Sequence, residues 1–285
     1  MQPGRWTIER IRERTAVAAV SLSIWAAPAV AVAAGQDAGE ATASPWKVGI
    51  AFGYGRRSNP LIQSEDIDIL IDVDVAWFGE RWFFDNGDVG RTVLERDGYT
   101  LSVVGRLNSD RVFFSKTDTE NVSLLANGEP DPTTSEPLEV PERDYAFEVG
   151  LELLSDGGWG FLEAAWYHDA SGTHGGDELF LSYGRSFVVG RWLLEPSVSM
   201  SWKSRELNDY YWGVHADEAS VVLPEHRVAA GFNTEARLAA SYWIDRHWAF
   251  HVAARCERLS GAAAASPLVT ERTVRGAFAG FGYHF

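Results

Sequence analysis

The sequence predicts an all-β fold, a transmembrane antiparallel β-barrel of about 12 strands. Apolar and polar residues alternate through one segment after another, and aromatic residues often stand at the ends of the apolar faces. Period-two alternation indicates strands with two different faces, and aromatic girdles are typical of outer-membrane barrels. Short turns also alternate with long polar links along the chain. This layout predicts short periplasmic turns and long extracellular loops.

The composition agrees with a β-rich membrane protein and excludes several other classes. The 285 residues include 27 Gly, 12 Trp, 9 Tyr and 15 Phe, and the net charge is −15. A mean hydropathy of −0.16 argues against a helical membrane protein. The acidity argues against nucleic acid as a partner. A single cysteine, Cys256, excludes an internal disulfide and a cysteine metal cluster, and the sequence predicts neither a metal site nor a cofactor.

The N-terminal segment has the pattern of a secretory signal. Four arginines in the first 14 residues precede an uncharged, Ala- and Val-rich run over 15–34. We therefore predict a signal peptide over 1–34, cleaved near Ala33 or Ala34, followed by a short leader over 35–45 and a barrel domain over 46–285. Cleavage removes four Arg and two Glu, which takes the net charge from −15 to −17. An uncleaved anchor is the alternative, since the run is just long enough to span a membrane.

The alternation predicts twelve strands, an even number as bacterial barrels require. They cover residues 46–54, 66–77, 80–85, 90–96, 99–107, 142–154, 159–168, 177–188, 191–203, 228–243, 248–260 and 273–285. The third and fourth are short for a membrane span of about 9–11 residues. A ten-stranded barrel, with residues 80–96 folded elsewhere, is the alternative.

The last predicted strand has the pattern of a closing strand. Ala277, Ala279, Phe281, Tyr283 and Phe285 alternate with small or polar residues up to the final aromatic position. We expect this strand to lie in the interfacial aromatic girdle and to pair with residues 46–54.

The charged residues of the alternating segments are predicted to face a wet lumen. Unpaired charges are too costly to bury in a dry core, so the face that carries them must be hydrated or ion-paired. The predicted inward set is Asp66, Asp68, Asp72, Asp74, Glu148, Glu152, Glu195, Lys203, Glu235, Arg237, Arg255 and Glu257, with Arg106 beside them. Two interpretations stay open, a small-solute channel that mildly favours cations and a salt-bridged plug that fills the bore.

No segment has the pattern of an active site, and the sequence predicts that the protein is not an enzyme. The stretch from His168 to His174 contains Asp169 and Ser171, the only local set with a nucleophile, a base and a carboxylate. Adjacency in sequence does not give triad geometry, so a solvated extracellular turn is the favoured interpretation. A lipid hydrolase at the outer rim, using Ser171, is a remote alternative.

Several segments resemble the MipA/OmpV family over nearly the whole mature chain. The most specific lies after the predicted ninth strand, where Tyr210-Tyr-Trp-Gly-Val-His-Ala-Asp-Glu-Ala219 matches the signature "YYxGV…EA". Further matching pieces are Arg81-Trp-Phe-Phe-Asp-Asn-Gly-Asp, Ser171-Gly-Thr-His-Gly-Gly, Leu194-Glu-Pro-Ser, Ser266-Pro-Leu-Val and the terminal Gly280-Phe-Gly-Tyr-His-Phe. Trp212 departs from the family pattern, which has Tyr or Phe there.

The resemblance implies an outer-membrane barrel without known catalytic residues. The named member of the family interacts with a membrane-bound lytic transglycosylase and is proposed to link it to a bifunctional penicillin-binding protein. Other members are described as porin-like or adhesion-related. A structural scaffold for peptidoglycan-remodelling enzymes is therefore the expected function, with the channel as the alternative.

The resemblance also implies two groups of candidate site residues and further partners. Tyr210, Tyr211, Gly213, Val214, Glu218 and Ala219 are candidates either for a functional loop or for packing of the outer loop over the barrel mouth. Phe281, Tyr283 and Phe285 fit the C-terminal signal that the barrel-insertion machinery recognises. Outer-membrane lipid is the remaining expected partner.

Overall fold

A computed structural model describes residues 45–114 and 140–285. The predicted signal peptide and residues 35–44 of the leader lie outside this part. Thirteen strands form one antiparallel sheet. They are β1 (Trp46–Arg57), β2 (Ile67–Phe78), β3 (Trp82–Asp85), β4 (Asp88–Arg96), β5 (Tyr99–Leu107), β6 (Phe147–Gly157), β7 (Gly160–Asp169), β8 (Asp177–Gly184), β9 (Phe187–Val189), β10 (Trp192–Lys203), β11 (Gly231–Trp243), β12 (Trp248–Arg258) and β13 (Thr273–His284).

The sheet closes into a barrel with twelve strand positions. β8 and β9 pair with consecutive parts of β10, so together they form one wall strand interrupted at Arg185 and Ser186. Pairing of β10 with β11 and of β1 with β13 completes the circle. The prediction of twelve strands is confirmed. The ten-stranded alternative is wrong, because β3 and β4 pair within the wall.

The closing strand is found where the alternation predicts it. In β13, Phe281 is opposite Phe52 and Tyr283 is opposite Ile50. The Phe285 amide donates a hydrogen bond of 3.0 Å to the Val48 carbonyl.

The short β3–β4 hairpin is held by its turn. Asn86 and Gly87 both have positive φ, at 49° and 105°, as a two-residue hairpin turn of this kind requires. The Asn86 side chain accepts a hydrogen bond from the Val75 amide, and its backbone amide donates to the Val75 carbonyl, each at 3.0 Å. These bonds attach the hairpin to β2 although β3 has only four residues.

The two faces of the wall differ as a membrane barrel requires. Large apolar side chains such as Val73, Leu151 and Leu238 are about half exposed on the outside, whereas most of the buried charged residues lie on inward-facing strand positions. None of the helices in the described ranges is long and apolar enough to span a membrane. These helices are a 3₁₀ helix (Ser109–Phe114), α1 (Arg205–Trp212) and α2 (Gly261–Ala264), all in the long links.

Candidate functional site

A hydrophobic cap fills the long-link end of the barrel. Its core consists of Leu61, Phe113, Phe114, Leu207, Tyr211, Trp212, Val214, Leu223, Val228, Leu259, Ala263, Leu268 and Val274. These residues come from four long links and the start of β13. The fifth link also reaches α1, since the ring of His174 lies 5.9 Å from that of Tyr211. All five long links therefore meet at this core, and we call the core together with the described parts of these links the cap.

Helix α1 forms inside a segment that was predicted only as a polar link, and hydrogen bonds at its two ends explain why. Ser204 is its N-cap, and the Ser204 hydroxyl accepts a hydrogen bond from the Leu207 amide. Gly213 ends the helix, and its amide donates to the Asp209 carbonyl. A Cβ at position 213 would collide with that carbonyl oxygen, so the close approach requires glycine.

The family motif residues hold the cap together. Tyr211 and Val214 are fully buried, and Gly213 is buried between them. The Tyr210 hydroxyl accepts a 2.8 Å hydrogen bond from the Asp144 amide. Ala219 is exposed and contributes no buried contact. Tyr211, Gly213 and Val214 are therefore packed inside this loop, and a functional role of the motif stays a prediction.

Glu218 forms the main ion pair of the cap. Arg143, whose side chain is 3% exposed, donates to Glu218 Oε1 at 2.5 Å and to Oε2 at 3.0 Å. Arg143 also donates to the Gly213 carbonyl at 2.9 Å. Burial alone would raise the pKa of Glu218, but the hydrogen bonds from Arg143 and the His215 amide outweigh it, and the pKa is lowered.

Ion pairs lie inside the barrel wall directly below the cap. Arg106 donates to Glu148 at 2.9 Å and to Glu178 at 2.6 Å, and its guanidinium carbon lies 3.5 Å from the centre of the Tyr167 ring. Lys203 is opposite Glu178 in the sheet, and its Nζ lies 2.6 Å from both oxygens of Asp110.

A second group of pairs lies on the β11–β12 side of the same region. Glu257 is 3.5 Å from Arg57 and 3.4 Å from Arg255, and Arg255 also bonds Glu235. Five members of the predicted inward set therefore lie in these ion pairs below the cap, namely Glu148, Lys203, Glu235, Arg255 and Glu257.

The lumen is more acidic toward the short turns. Asp72 and Asp74 line a cavity of about 40 Å³, which has room for one or two waters. His251 and His284 face the same cavity with their Nε2 atoms 3.2 Å apart. Elsewhere in this half, Glu195 Oε1 accepts from the Ser186 hydroxyl at 3.1 Å. Two more predicted residues, Glu152 and Arg237, lie on inward-facing positions of β6 and β11 and interact with Tyr167 and Glu195, respectively.

Asp66 and Asp68 depart from the predicted inward set. Asp68 accepts a 2.9 Å hydrogen bond from Arg56, whose side chain is 57% exposed, and Asp66 lies 3.9 Å from the same guanidinium. The register of β1 against β2 shifts between Phe52 and Gly55, which changes the phase of alternation in β2. Ile69 consequently packs inside the barrel, and Asp68 lies on the outer face.

Ser171, in the link between β7 and β8, is not arranged as a nucleophile. Its hydroxyl donates to Asp169 Oδ1 at 2.6 Å. His174 is fully buried, with Nδ1 accepting from the Gly176 amide and Nε2 3.4 Å from Glu148. Asp169 also accepts from the amides of His174 and Gly175, so it organises the turn. Ser171 has no histidine partner within the described residues, and this geometry does not favour the rim hydrolase.

The aromatic residues of the predicted assembly signal lie outside the lumen. Phe281 is 52% exposed, and its ring is 5.1 Å from that of Phe250. Tyr283 packs against Trp248 at 5.1 Å and Phe285 at 4.8 Å. Together they form an aromatic cluster at the short-turn end of the β12–β13 wall.

Sequence reasoning missed several residues that hold the interior. Arg57 and Asp110 lie beyond the predicted strands, where alternation carries no signal. Arg143 lies in the predicted strand 142–154, but the observed strand begins only at Phe147. Glu163, Asp85 and Asp88 lie on inward positions of β7, β3 and β4, and the alternation of those strands is the signal that would have found them.

This chain is similar to a family model and to a known outer membrane protein. A family model described as MltA-interacting protein MipA matches residues 48–285. The outer membrane protein Omp26La of Vibrio anguillarum is 24% identical over 146 residues, which cover 51% of this chain and 57% of that protein, so the match spans little more than half of the relative.

Two solved structures are among those to which this chain is similar. The NanC porin has a TM-score of 0.43 at 9% identity, with 83% of this chain and 98% of that chain covered. An outer membrane channel from Pseudomonas putida F1 has a TM-score of 0.39 at 12% identity, with 88% and 100% covered.

Proposed function

Because this chain belongs to the MltA-interacting protein MipA family and forms an outer-membrane β-barrel, we propose that it is a structural barrel that serves as a scaffold for peptidoglycan-remodelling enzymes. The observation that carries this proposal is the cap, whose buried core around Trp212 packs the described long links together at one end of the barrel. A barrel whose mouth is packed like a protein interior has its surfaces, rather than its bore, available for function.

The periplasmic side is the surface that such an enzyme reaches. In outer-membrane barrels the short turns face the periplasm, and here they include the turn after β11 with Asp245 and Arg246. The enzyme class expected from the family is a membrane-bound lytic transglycosylase, with a bifunctional penicillin-binding protein as the second partner. The predicted signal peptide would direct the chain to this compartment.

Surface plasmon resonance with the refolded barrel tests the scaffold. The transglycosylase and the penicillin-binding protein from the same cell are passed over the immobilised protein, and saturable binding is expected. Arg246→Glu, an exposed charge reversal on a short turn, should weaken binding at least 3-fold. Arg205→Glu, an equally exposed reversal on the cap, should leave it unchanged. No binding by either enzyme would reject the scaffold, and weakening by Arg205→Glu alone would reject the periplasmic docking face.

A small-solute, cation-favouring channel is the second candidate. It is favoured by one observation, the cavity that Asp72 and Asp74 line inside the lumen. Planar-bilayer recording should then show a conductance with cation preference that falls in the Asp72→Asn/Asp74→Asn double variant. A silent bilayer with correctly folded protein would reject this candidate.

A further inference from the structure

Three neighbouring strands each carry an outward arginine at the long-link end of the wall. These are Arg56 on β1, Arg258 on β12 and Arg275 on β13, and all three are exposed. Arg56 is opposite Ala277 and Arg258 is opposite Thr273, so each lies diagonally beside Arg275. Diagonal neighbours in a sheet are roughly 7–8 Å apart, within reach of long side chains. The three residues therefore form one continuous patch, which we call the arginine row.

The arginine row lies at one height on the barrel. On each of the three strands an outward aromatic residue stands ten positions away, at the short-turn end: Trp46 for Arg56, Trp248 for Arg258 and Phe285 for Arg275. A strand rises about 3.3 Å per residue and barrel strands tilt by about 35–45°, so ten residues span a height of about 25 Å. The apolar band of outer-membrane barrels has this height, and their long loops face outside. The arginine row therefore lies at the outer interface of the membrane.

Two of the three arginines have no carboxylate partner. In the described part of the chain, the guanidinium groups of Arg258 and Arg275 form no ion pair and no hydrogen bond with the protein. Glu271 and Arg272, both exposed in the link before β13, together add no net charge. The wall thus presents two uncompensated positive charges at the interface.

The row ends on both sides. Toward β2, Arg56 is already paired, since it donates to Asp68 at 2.9 Å and lies 3.9 Å from Asp66. Toward β11, the residue opposite Arg258 is the neutral Thr234. Recognition of an anion therefore depends on Arg258 and Arg275, at the centre of the row.

The wall below these two arginines is a shallow apolar strip. Ala254 is opposite Ala277, and Ala279 follows on the same face of β13, all three exposed. Larger side chains stand on either side, Leu238 opposite Ala254 and Tyr54 opposite Ala279, which are 50% and 57% exposed. A strip of this shape gives room for an acyl chain that runs along the wall below the charges.

We propose that Arg258 and Arg275, with the alanine strip below them, bind the lipid A part of lipopolysaccharide on the outside of the barrel. Lipid A carries phosphate groups at the outer interface and acyl chains beneath them, which matches the order of charge and apolar surface on this wall. A guanidinium group binds a phosphate through two parallel N–H···O hydrogen bonds. The phospholipids of the inner leaflet have their head groups at the opposite end of the strands, away from the row. The site is independent of the scaffold proposal.

Native mass spectrometry of the refolded full barrel, titrated with lipid A in detergent, tests the site. About one saturable lipid A per barrel is expected, and lipid A without its phosphates should not bind. The Arg258→Gln/Arg275→Gln variant should bind roughly 10-fold more weakly, because it loses the charge-assisted hydrogen bonds to phosphate. Arg96→Gln/Arg246→Gln, which removes two exposed arginines at the short-turn end, should bind like the wild type.

Thermal unfolding gives a second measurement, on variants shown by heat modifiability to be folded. Lipid A should raise the unfolding temperature of the wild type but not that of the double variant, because a ligand stabilises only the state that binds it. Without lipid, the two proteins should unfold alike. If the double variant fails to fold, Arg275→Gln alone is titrated, with an expected loss of about 3-fold.

Equal binding of lipid A by the wild type and the double variant would overturn the proposal. Binding of phosphatidylglycerol as tightly as lipid A would overturn the assignment to lipopolysaccharide, since the row would then recognise any anionic lipid. Neither result involves the cell-wall enzymes, so the scaffold proposal fails or stands separately.

Discussion

Replacing Trp212 by alanine should open the cap without unfolding the barrel. The indole is fully buried, its ring lies 5.7 Å from Phe113 and 5.6 Å from Phe114, and its Nε1 donates to Asp110 at 3.4 Å. Truncating a buried Trp to Ala costs about 3–5 kcal/mol. Since each increment of about 1.4 kcal/mol changes an equilibrium constant tenfold, the population of the open cap should rise roughly 150- to 4,000-fold. The wall strands keep their hydrogen bonds, so the barrel itself should stay folded.

Limited proteolysis of the refolded barrel measures this opening. Cleavage within the link between β10 and β11 should accelerate in proportion to the open population, provided that the cap recloses faster than the protease cuts. The matched control is Val222→Ala in the same link, where the side chain is 76% exposed and the change should alter cleavage by no more than about 2-fold. A cleavage rate for Trp212→Ala within 3-fold of the wild type, on a heat-modifiable barrel, would refute the cap as a packed core.

Three further predictions concern the cap pair, the lumen and assembly. The Arg143 pair lowers the pKa of Glu218, so its stabilisation is present above the unfolded value of about 4.3 and is lost as the pH falls through the folded value. Proteolysis of the wild-type cap should therefore become faster as the pH falls, whereas the cap of Glu218→Gln should be cleaved fast at every pH. Parallel pH profiles of the two proteins would contradict this. Arg106→Met leaves Glu148 and Glu178 buried without their cation and should destabilise the barrel by about 3–5 kcal/mol. Thermal unfolding measures this loss, and the control Arg258→Met, at an exposed position of the wall, should not destabilise the barrel. Deleting Phe285 should reduce the heat-modifiable barrel recovered in the outer membrane, because the aromatic end is the proposed assembly signal, and a normal yield would contradict that role.

The wall was predictable because successive residues of a strand face opposite environments, so that polar and apolar residues alternate along it. The predicted bounds of β5, 99–107, are those in the structure, and most other strands agree within a few residues. Even the short β3 and β4 were placed in the wall, although their attachment depends on the Asn86 side chain rather than on alternation.

The cap was only partly predictable, because its contacts join residues that are distant in the chain. Arg143 and Glu218 are 75 positions apart. Arg143 lies in the predicted strand 142–154 but ahead of β6, which begins at Phe147, and Glu218 lies in a polar link. Helix α1 has only eight residues, too few for a periodic signal to emerge from a polar link. Asp68 was misplaced for a different reason, since one change of register reverses the face of every residue beyond it.

Planar-bilayer recording of the wild-type barrel tests the capped architecture most directly. The dry core around Trp212 and the ion pairs of Arg106 and Lys203 predict that folded, heat-modifiable protein inserts without a sustained open conductance. A stable, ion-selective open level in the wild type, seen with the cap intact to protease, would contradict this account.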